Sequence, residues 1–371
     1  MLKYDCKFFT GMKPCKYHKD TGIKCDTCSY FEAIEFKILI IKLDAIGDVL
    51  RTTSILPALK KKYPKPQVTW CTRKNSAGIF VNNPFVDELI FVEEDAYFRI
   101  TSEKYDLIIN LDTSKLSSAI ATSASGVVKQ GFTLSHKGFV EPTSSAANAW
   151  LLMSAFDDEK KKNTKTHQQI MYNILELEEK ICRPVLNVTE EAQFKIASGL
   201  KDWNYKRNLV TIGLNIGVGT KWPSKAWPVQ NWESLINYLQ RDEFNLLLLG
   251  GPEEEKQLVE LKNKYPFLLN TGSNNSLMEF AAIVDLCDVI VTADTLALHI
   301  ATALGKKIIA LFGPTSSNEI ELYEKGVKMI AGEECKCYYN KFCSEEVSCM
   351  KRITGEEVYE SLKFLTGGII L

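Results

Sequence analysis

Four short segments of this 371-residue chain set small residues beside charged or hydroxyl-bearing ones in patterns that could do chemistry. In LDAIGDVLRTT (43–53), Gly47 precedes Asp48 where an apolar run gives way to helical spacing. Glycine permits a close backbone approach. The acid could cap the helix, a role worth about 1 kcal/mol, or face a cleft as a general base; from this loop alone the cap is the better reading. In NIGVGTKWPSKAWPVQNW (215–232), Gly217, Gly219, Thr220, Lys221 and Lys225 stand among three tryptophans. Backbone amides, a hydroxyl and ammonium groups make a reasonable diphosphate cradle; a solvated loop with packed tryptophans is the plain alternative. In LLLLGGPEEEKQ (246–257), Glu253 follows a Gly-Gly pair that ends an apolar run. An acid there can accept from a ribose or simply complement the helix dipole. In VTADTLALHIATALG (291–305), Asp294 and Thr295 open a helical pattern, and His299 lies one turn on, on the face of Thr295. Such a helix start can bind phosphate, although a lone histidine on an apolar helix is more often a core residue.

Eight of the eleven cysteines form two groups. The first is Cys6-x8-Cys15-x2-His18-x6-Cys25-x2-Cys28, and its Cys-x2-Cys pair suits a tetrahedral metal with the other two thiolates completing the site. His18 is a substitute ligand. The second, Cys335-x-Cys337-x5-Cys343-x5-Cys349, has less diagnostic spacing and leaves metal, free thiols or a redox disulfide open. Zinc comes first, with iron or an iron–sulfur cluster behind it; whether the groups form one site or two stays open. Cys71, Cys182 and Cys287 sit among apolar neighbours and are expected in the core.

The elements that must position these residues alternate along the chain. FKILIIKL (36–43), QVTWCT (67–72), ELIFVE (88–93), YDLIINLD (105–112) and VKQGF (128–132) are expected strands. Helical patterns cover 49–63, 113–126 and 143–180, the last interrupted at 159–165. A polar stretch over 183–207 is expected to link two units. The alternation then restarts, with strands at 209–216, 244–251, 288–294 and 306–313 and helices at 231–240, 253–265 and 295–305. Alternating strands and helices imply parallel sheets wrapped by helices, here two Rossmann-like α/β domains. The expected division is a cysteine-rich extension over 1–33, an N-terminal domain over 34–190, a C-terminal domain over 208–350 and a terminal helix over 351–371.

Composition narrows the classes. Hydrophobic residues are 45%, charged residues 25% and the net charge −1, so nothing global points to nucleic acid. No apolar run spans a bilayer and the first residues lack the layout of an export signal, so a cytoplasmic protein is expected. The glycines fit neither GxGxxG nor a P-loop, which argues against a dinucleotide-dependent oxidoreductase.

Taken together, the four segments resemble glycosyltransferase family 9, best known for the lipopolysaccharide heptosyltransferases. The resemblance runs from about residue 36 to about residue 315 and rests on IKLDAIGDVLRTTSILPALKKKYP, KAWPVQNWESL and TADTLALHIATALGKKIIALFGPT. It implies a GT-B arrangement, with the acceptor held by the N-terminal domain and the nucleotide sugar by the C-terminal one. By that likeness Asp48 takes the place of the catalytic base and Lys225 that of the lysine on the donor phosphates. Gly47, Gly219, Thr220, Lys221, Glu253, Asp294, Thr295 and His299 fall at donor-binding positions. Leu296 stands where the best known members have glycine. The implied reaction is inverting transfer without a required metal, probing most naturally ADP-heptose as donor and a lipopolysaccharide core or related glycan as acceptor. Another nucleotide sugar or a protein acceptor is the alternative within the family. An inactive nucleotide-sugar-binding module is the alternative outside catalysis, and the presence of both Asp48 and Lys225 argues against it. Arg73 and Lys74 are candidate acceptor contacts, and peripheral contact with the inner face of the cytoplasmic membrane fits such an acceptor.

Overall fold

The structure is a computed structural model that describes every residue except Thr10, Asp95, Glu333, Glu334, Lys336 and 368–371. The first sheet contains β1 (Phe36–Ile41), β2 (Pro66–Thr72), β3 (Glu88–Phe91), β4 (Lys104–Asn110), β5 (Ser125–Leu134) and β6 (Val140–Pro142). Its order is β3-β2-β1-β4-β5-β6, parallel except for the antiparallel β5–β6 edge. The second sheet contains β7 (Thr211–Asn215), β8 (Asn245–Leu249), β9 (Leu269–Asn270), β10 (Val289–Ala293), β11 (Lys307–Phe312) and β12 (Gly326–Ile330). Its order, β12-β11-β10-β7-β8-β9, is wholly parallel. Each sheet therefore starts in its middle and reverses direction beside its first strand, the doubly wound order whose crevice binds ligands beyond the carboxyl ends of the strands. In the first sheet the reversal lies between β1 and β4, and in the second between β7 and β10. Residues 44–48 and 294–299 follow β1 and β10 directly, so both candidate loops stand at reversal points.

Burial explains the strand sequences. All five residues of β7, β8 and β10 are buried, as expected of parallel strands covered on both faces by helices. The helical pattern over 49–63 is not one helix. Ile46–Thr52 gives way to a 3-10 turn at Thr53–Ile55 before Leu56–Lys62. The break has two causes. Pro57 has no amide to continue the helical bonding, and the Thr52 and Thr53 hydroxyls bond the carbonyls of Asp48 and Leu50, each at 2.6 Å. The 143–180 pattern likewise resolves into Ser145–Ala155, Asp157–Lys162 and His167–Ile174, the last opened by a Thr166/Gln169 capping box. The polar stretch over 183–207 contains the helix Glu190–Gly199, capped by the Thr189 hydroxyl and buried through Ala192 and Ile196. Helix Leu277–Leu286 and strands β9 and β12, which the periodicity does not reveal, complete the second unit. Helix Gly355–Thr366 packs against helix Val229–Leu239, where a Cβ on Gly355 would stand 2.6 Å from the Leu235 nitrogen. The end of the expected terminal helix, 368–371, lies outside the described residues.

The cysteine-rich extension is ordered despite its polarity. Tyr17 stacks on Tyr30 with ring centroids 4.1 Å apart, Phe8 meets Tyr17 edge-on, and Cys6 bridges Ala33. Lys7 then ties the segment to the first domain through Asp87 at 2.9 Å. Cys71 and Cys287 are buried as expected, and burial pushes both thiols up to about 12. Cys182 departs from the core expectation. It is half-exposed because its backbone, not its thiol, makes the inward contacts, to the hydroxyls of Tyr172 and Tyr323.

Candidate functional site

Asp48 is the third residue of helix Ile46–Thr52, and its Oδ2 accepts the Ala45 amide at 3.3 Å. The capping reading therefore describes real geometry, but it accounts for one oxygen only. Oδ1 is 2.7 Å from Nη2 of Arg51, one turn along the helix. The Asp48 side chain keeps 35% exposure because it faces the cleft between the two sheets. Burial by the surrounding protein pushes its carboxyl up, but Arg51, then Lys42, His167 and His299, outweigh that and hold it well below the usual carboxylate range.

Across the cleft, Lys225 Nζ donates to the Asp294 carboxylate and to the Asp294 carbonyl, both at 3.0 Å. Burial pushes Asp294 up, and Lys225 and His299 more than reverse it. His299 is 9% exposed on helix Leu296–Ala303, with Nε2 4.0 Å from Asp294 Oδ1. Desolvation and then Arg51 push His299 down to about 4, so it is neutral at pH 7. Thr295 is wired inward: Asn215 Nδ2 reaches the Thr292 hydroxyl at 2.9 Å and the Thr295 hydroxyl at 3.3 Å. This buried amide couples the loop after β7 to the start of the helix after β10.

The two halves meet at Gly47. A Cβ there would lie 2.6 Å from Cδ2 of His299, so the helix bearing Asp48 passes the helix bearing His299 with no room for a side chain. The glycine serves an approach between the two units as well as any approach to a ligand. A further bridge runs from His167, whose amide donates to the Glu319 carbonyl at 2.9 Å.

The model of glycosyltransferase family 9 (heptosyltransferase) matches residues 98–348. The chain belongs to glycosyltransferase family 9. Among curated relatives, lipooligosaccharide heptosyltransferase 2 of Haemophilus influenzae is 25% identical over 334 residues, covering 81% of this chain and 90% of that protein. Among solved structures, a family 9 glycosyltransferase from Veillonella parvula superposes with a TM-score of 0.73 at 20% identity, covering 90% of this chain and 97% of the other. The E. coli heptosyltransferase WaaC with ADP-2-deoxy-2-fluoro heptose gives 0.59 at 16% identity, covering 88% and 99%. The iron-containing dodecameric glycosyltransferase TibC of E. coli gives 0.54 at 11% identity, covering 91% and 77%. These likenesses establish the two-domain GT-B fold.

Within this family 9 glycosyltransferase, the expected site residues separate into two sets. Asp48, Gly47, Lys225, Asp294, Thr295 and His299 come together. Thr220, Lys221 and Glu253 are exposed at the rim. Gly219 adopts a left-handed φ of 66°, and its amide donates to Glu254 Oε1 at 3.0 Å. Glu254 also receives the Gly251 amide at 2.9 Å. The acid turned into this loop is thus Glu254, and its neighbour Glu253 points out. Arg73 pairs with Asp44 at 2.8 Å and with Glu93, while Lys74 pairs with Glu94. Sequence reasoning missed Arg51, His167, Glu319 and Tyr339. Arg51 was visible as a cation three residues after the acid. Tyr339 had no such signal: the cysteine-rich loop folds back so that its hydroxyl receives the Ser316 amide at 3.3 Å, and Asn340 accepts from the Ser224 hydroxyl beside Lys225 at 2.7 Å.

Among the described residues, no three His, Cys, Asp or Glu side chains are arranged to hold a metal. The eight cysteines are nonetheless grouped. Cys6, Cys15, Cys25 and Cys28 line one cavity of about 570 Å³ together with His18, and Cys15 Sγ accepts the His18 amide at 3.4 Å. In the second group Cys337 and Cys343 lie 2.9 Å apart and Cys335 and Cys349 3.8 Å apart, sulfur to sulfur. No helix among the described residues is long and apolar enough to cross a membrane.

Proposed function

We propose that this protein is an inverting glycosyltransferase that moves heptose from ADP-heptose onto a hydroxyl of a lipopolysaccharide core or related glycan. The observation that carries the reading is the meeting of Asp48, from the first domain, with Lys225, Asp294 and His299, from the second, around the Gly47–His299 contact. Asp48 accepts the proton of the acceptor hydroxyl as its oxygen attacks the anomeric carbon. The bond to the nucleoside diphosphate breaks, and Lys225 meets the charge developing on the leaving phosphate. Since Lys225 is held on Asp294, the donor phosphates must compete with that carboxylate for it. The E. coli heptosyltransferase WaaC, solved with ADP and with ADP-2-deoxy-2-fluoro heptose, supports the donor class.

Arg73 and Lys74 serve as acceptor contacts in this reading, and an anionic acceptor would displace Asp44, Glu93 and Glu94 from them. Thr220, Lys221, Gly219 and Glu253 complete the donor rim. Such an acceptor would place the enzyme at the inner face of the cytoplasmic membrane. Leu296, half-buried at the first turn of the donor helix, favours a second reading in which the sugar is not heptose. The test is ADP release from ADP-heptose in the presence of a heptose-free core lipopolysaccharide. Asp48→Asn should lower turnover by about 10²- to 10⁴-fold while ADP affinity stays nearly intact. Near-normal turnover in that variant would return Asp48 to a helix cap.

We further propose that Cys6, Cys15, Cys25 and Cys28 hold one structural zinc ion, with iron or an iron–sulfur cluster as the alternative. Supporting it are the shared cavity and the amide-to-sulfur bond at Cys15; binding would draw the thiols inward. At this group four thiolates leave no open position, so the role is structural. For the second group the alternatives are metal, free thiols and a redox disulfide: its 3.8 Å sulfur separation matches the edge of a tetrahedron with metal–sulfur bonds of about 2.3 Å, whereas the 2.9 Å between Cys337 and Cys343 is shorter than such an edge.

A further inference from the structure

Arg51 is the group that no motif assigns and that the geometry ties most closely to Asp48. Its Nη2 lies 2.7 Å from Asp48 Oδ1, its side chain is only 13% exposed, and its Nε is buried without a partner. With the Ala45 amide on Oδ2, each Asp48 oxygen has one fixed donor and lone pairs left for a hydroxyl.

The charges around Asp48 show what the guanidinium contributes. Four basic groups face it: Arg51 on its own helix, Lys42 from the end of β1, His167 from the helix beyond, and His299 from the other domain. Lys42 is committed to Asp112 at 2.6 Å. Lys225, facing Asp294 and His299, is committed to Asp294 at 3.0 Å. Desolvation and Arg51 keep both histidines neutral at pH 7. Of the cations facing Asp48, Arg51 is therefore the one paired with it directly and the largest offset to its burial, with Lys42 second. Asp294, Glu319 and Tyr339 also face Arg51. When Asp48 takes up a proton, the guanidinium still has carboxylates opposite it and is not left as an unpaired buried charge.

We propose that Arg51 is a positioning residue for the transfer reaction, fixing the orientation of Asp48 and keeping it ionised for the acceptor hydroxyl. The inference rests on Asp48 being the base. Removing the guanidinium leaves a partly buried carboxylate whose remaining cationic neighbour, Lys42, is paired with Asp112, so it protonates at a higher pH.

The experiment is the pH profile of kcat/KM for ADP release from ADP-heptose, between pH 5 and 8. The wild type should show no limb belonging to Asp48. Arg51→Met should acquire an acid limb, with activity about 2- to 10-fold down at pH 5 and recovering toward pH 8, while KM for the donor changes less than about threefold. Arg51→Lys should restore most of the flat profile, which separates loss of charge from loss of fold. In an Asp48→Asn background, Arg51→Met should cost nothing further and show no limb. A uniform loss at every pH, normal activity of Arg51→Met, or a limb that persists in the double variant would each overturn the proposal. Near-normal turnover of Asp48→Asn alone would instead overturn the base reading beneath it.

Discussion

Replacing Gly47 by Ala separates the fold of the first domain from its engagement with the second. The new Cβ would stand 2.6 Å from His299 Cδ2 and 3.3 Å from its Nε2. Carbon atoms pack at about 3.5–4.0 Å, so one helix must withdraw by roughly 1 Å. His299 is buried, and crowding a packed contact costs about 1–3 kcal/mol. Gly47 is the second residue of its helix, where alanine is favoured over glycine by at most the roughly 0.8–1.0 kcal/mol of a helix interior. The two effects act in different places. The helix is stabilised locally, while the contact between the domains loses about 1–3 kcal/mol, a factor of roughly 5 to 150 in its population. Gly47→Ala should therefore unfold at an unchanged or slightly higher temperature, keep ADP affinity within about threefold, and lose about 5- to 150-fold in kcat/KM. Thermal unfolding, calorimetry with ADP and initial rates measure the three quantities. An unchanged Tm with unchanged kcat/KM would refute the claim that the Gly47–His299 approach belongs to the working state.

Lys225→Ala should weaken ADP binding and also slow the chemical step, because the charge that Lys225 meets grows in the transition state; calorimetry and single-turnover rates check both. His299 is pushed down to about 4 in the folded protein against 6.5 in a free chain. The unfolded state thus binds more protons between those values, and the stability that neutral His299 contributes, on the order of 3 kcal/mol at most, is present above pH 6.5 and lost as pH falls toward 4. His167 acts in the same direction, and His299→Gln should flatten part of the decline in denaturant unfolding between pH 6.5 and 4. A Cys25→Ser, Cys28→Ser double variant should lose about one equivalent of metal by elemental analysis yet retain ADP binding; metal-free wild-type protein with an ordered N-terminus would contradict the zinc reading.

Much of the architecture was legible because parallel strands buried on both faces are continuous apolar runs, and β1, β7, β8 and β10 are of that kind. The short or half-buried elements were not: β12 is only partly covered, and helix Leu277–Leu286 is apolar nearly all round, so neither carries a clear period. Asp48 and Asp294 stood out because each stands where a strand gives way to a helix at a loop with small neighbours, Lys225 because it follows the glycine-bearing loop after β7, and His299 because it lies one turn into the helix that begins after Thr295. Their mutual approach is a property of two domains meeting and cannot be read from spacing. The Gly47–His299 contact joins residues about 250 positions apart, beyond any local pattern. Glu254 over Glu253 depended on which side of a short 3-10 turn faces the glycine loop. Tyr339 depended on how a cysteine-rich loop of no regular structure folds back.

The donor is the point on which the account turns, and a thermal-shift panel of ADP, UDP, GDP and CDP with their sugars addresses it directly. A ligand at 100 times its Kd stabilises the folded state by about 2.7 kcal/mol, enough to move Tm by several degrees. ADP and ADP-heptose should raise Tm selectively in the wild type, and the shift should shrink in Lys225→Ala. Selective stabilisation by a uridine or guanosine diphosphate sugar, or a shift that Lys225→Ala leaves intact, would contradict it.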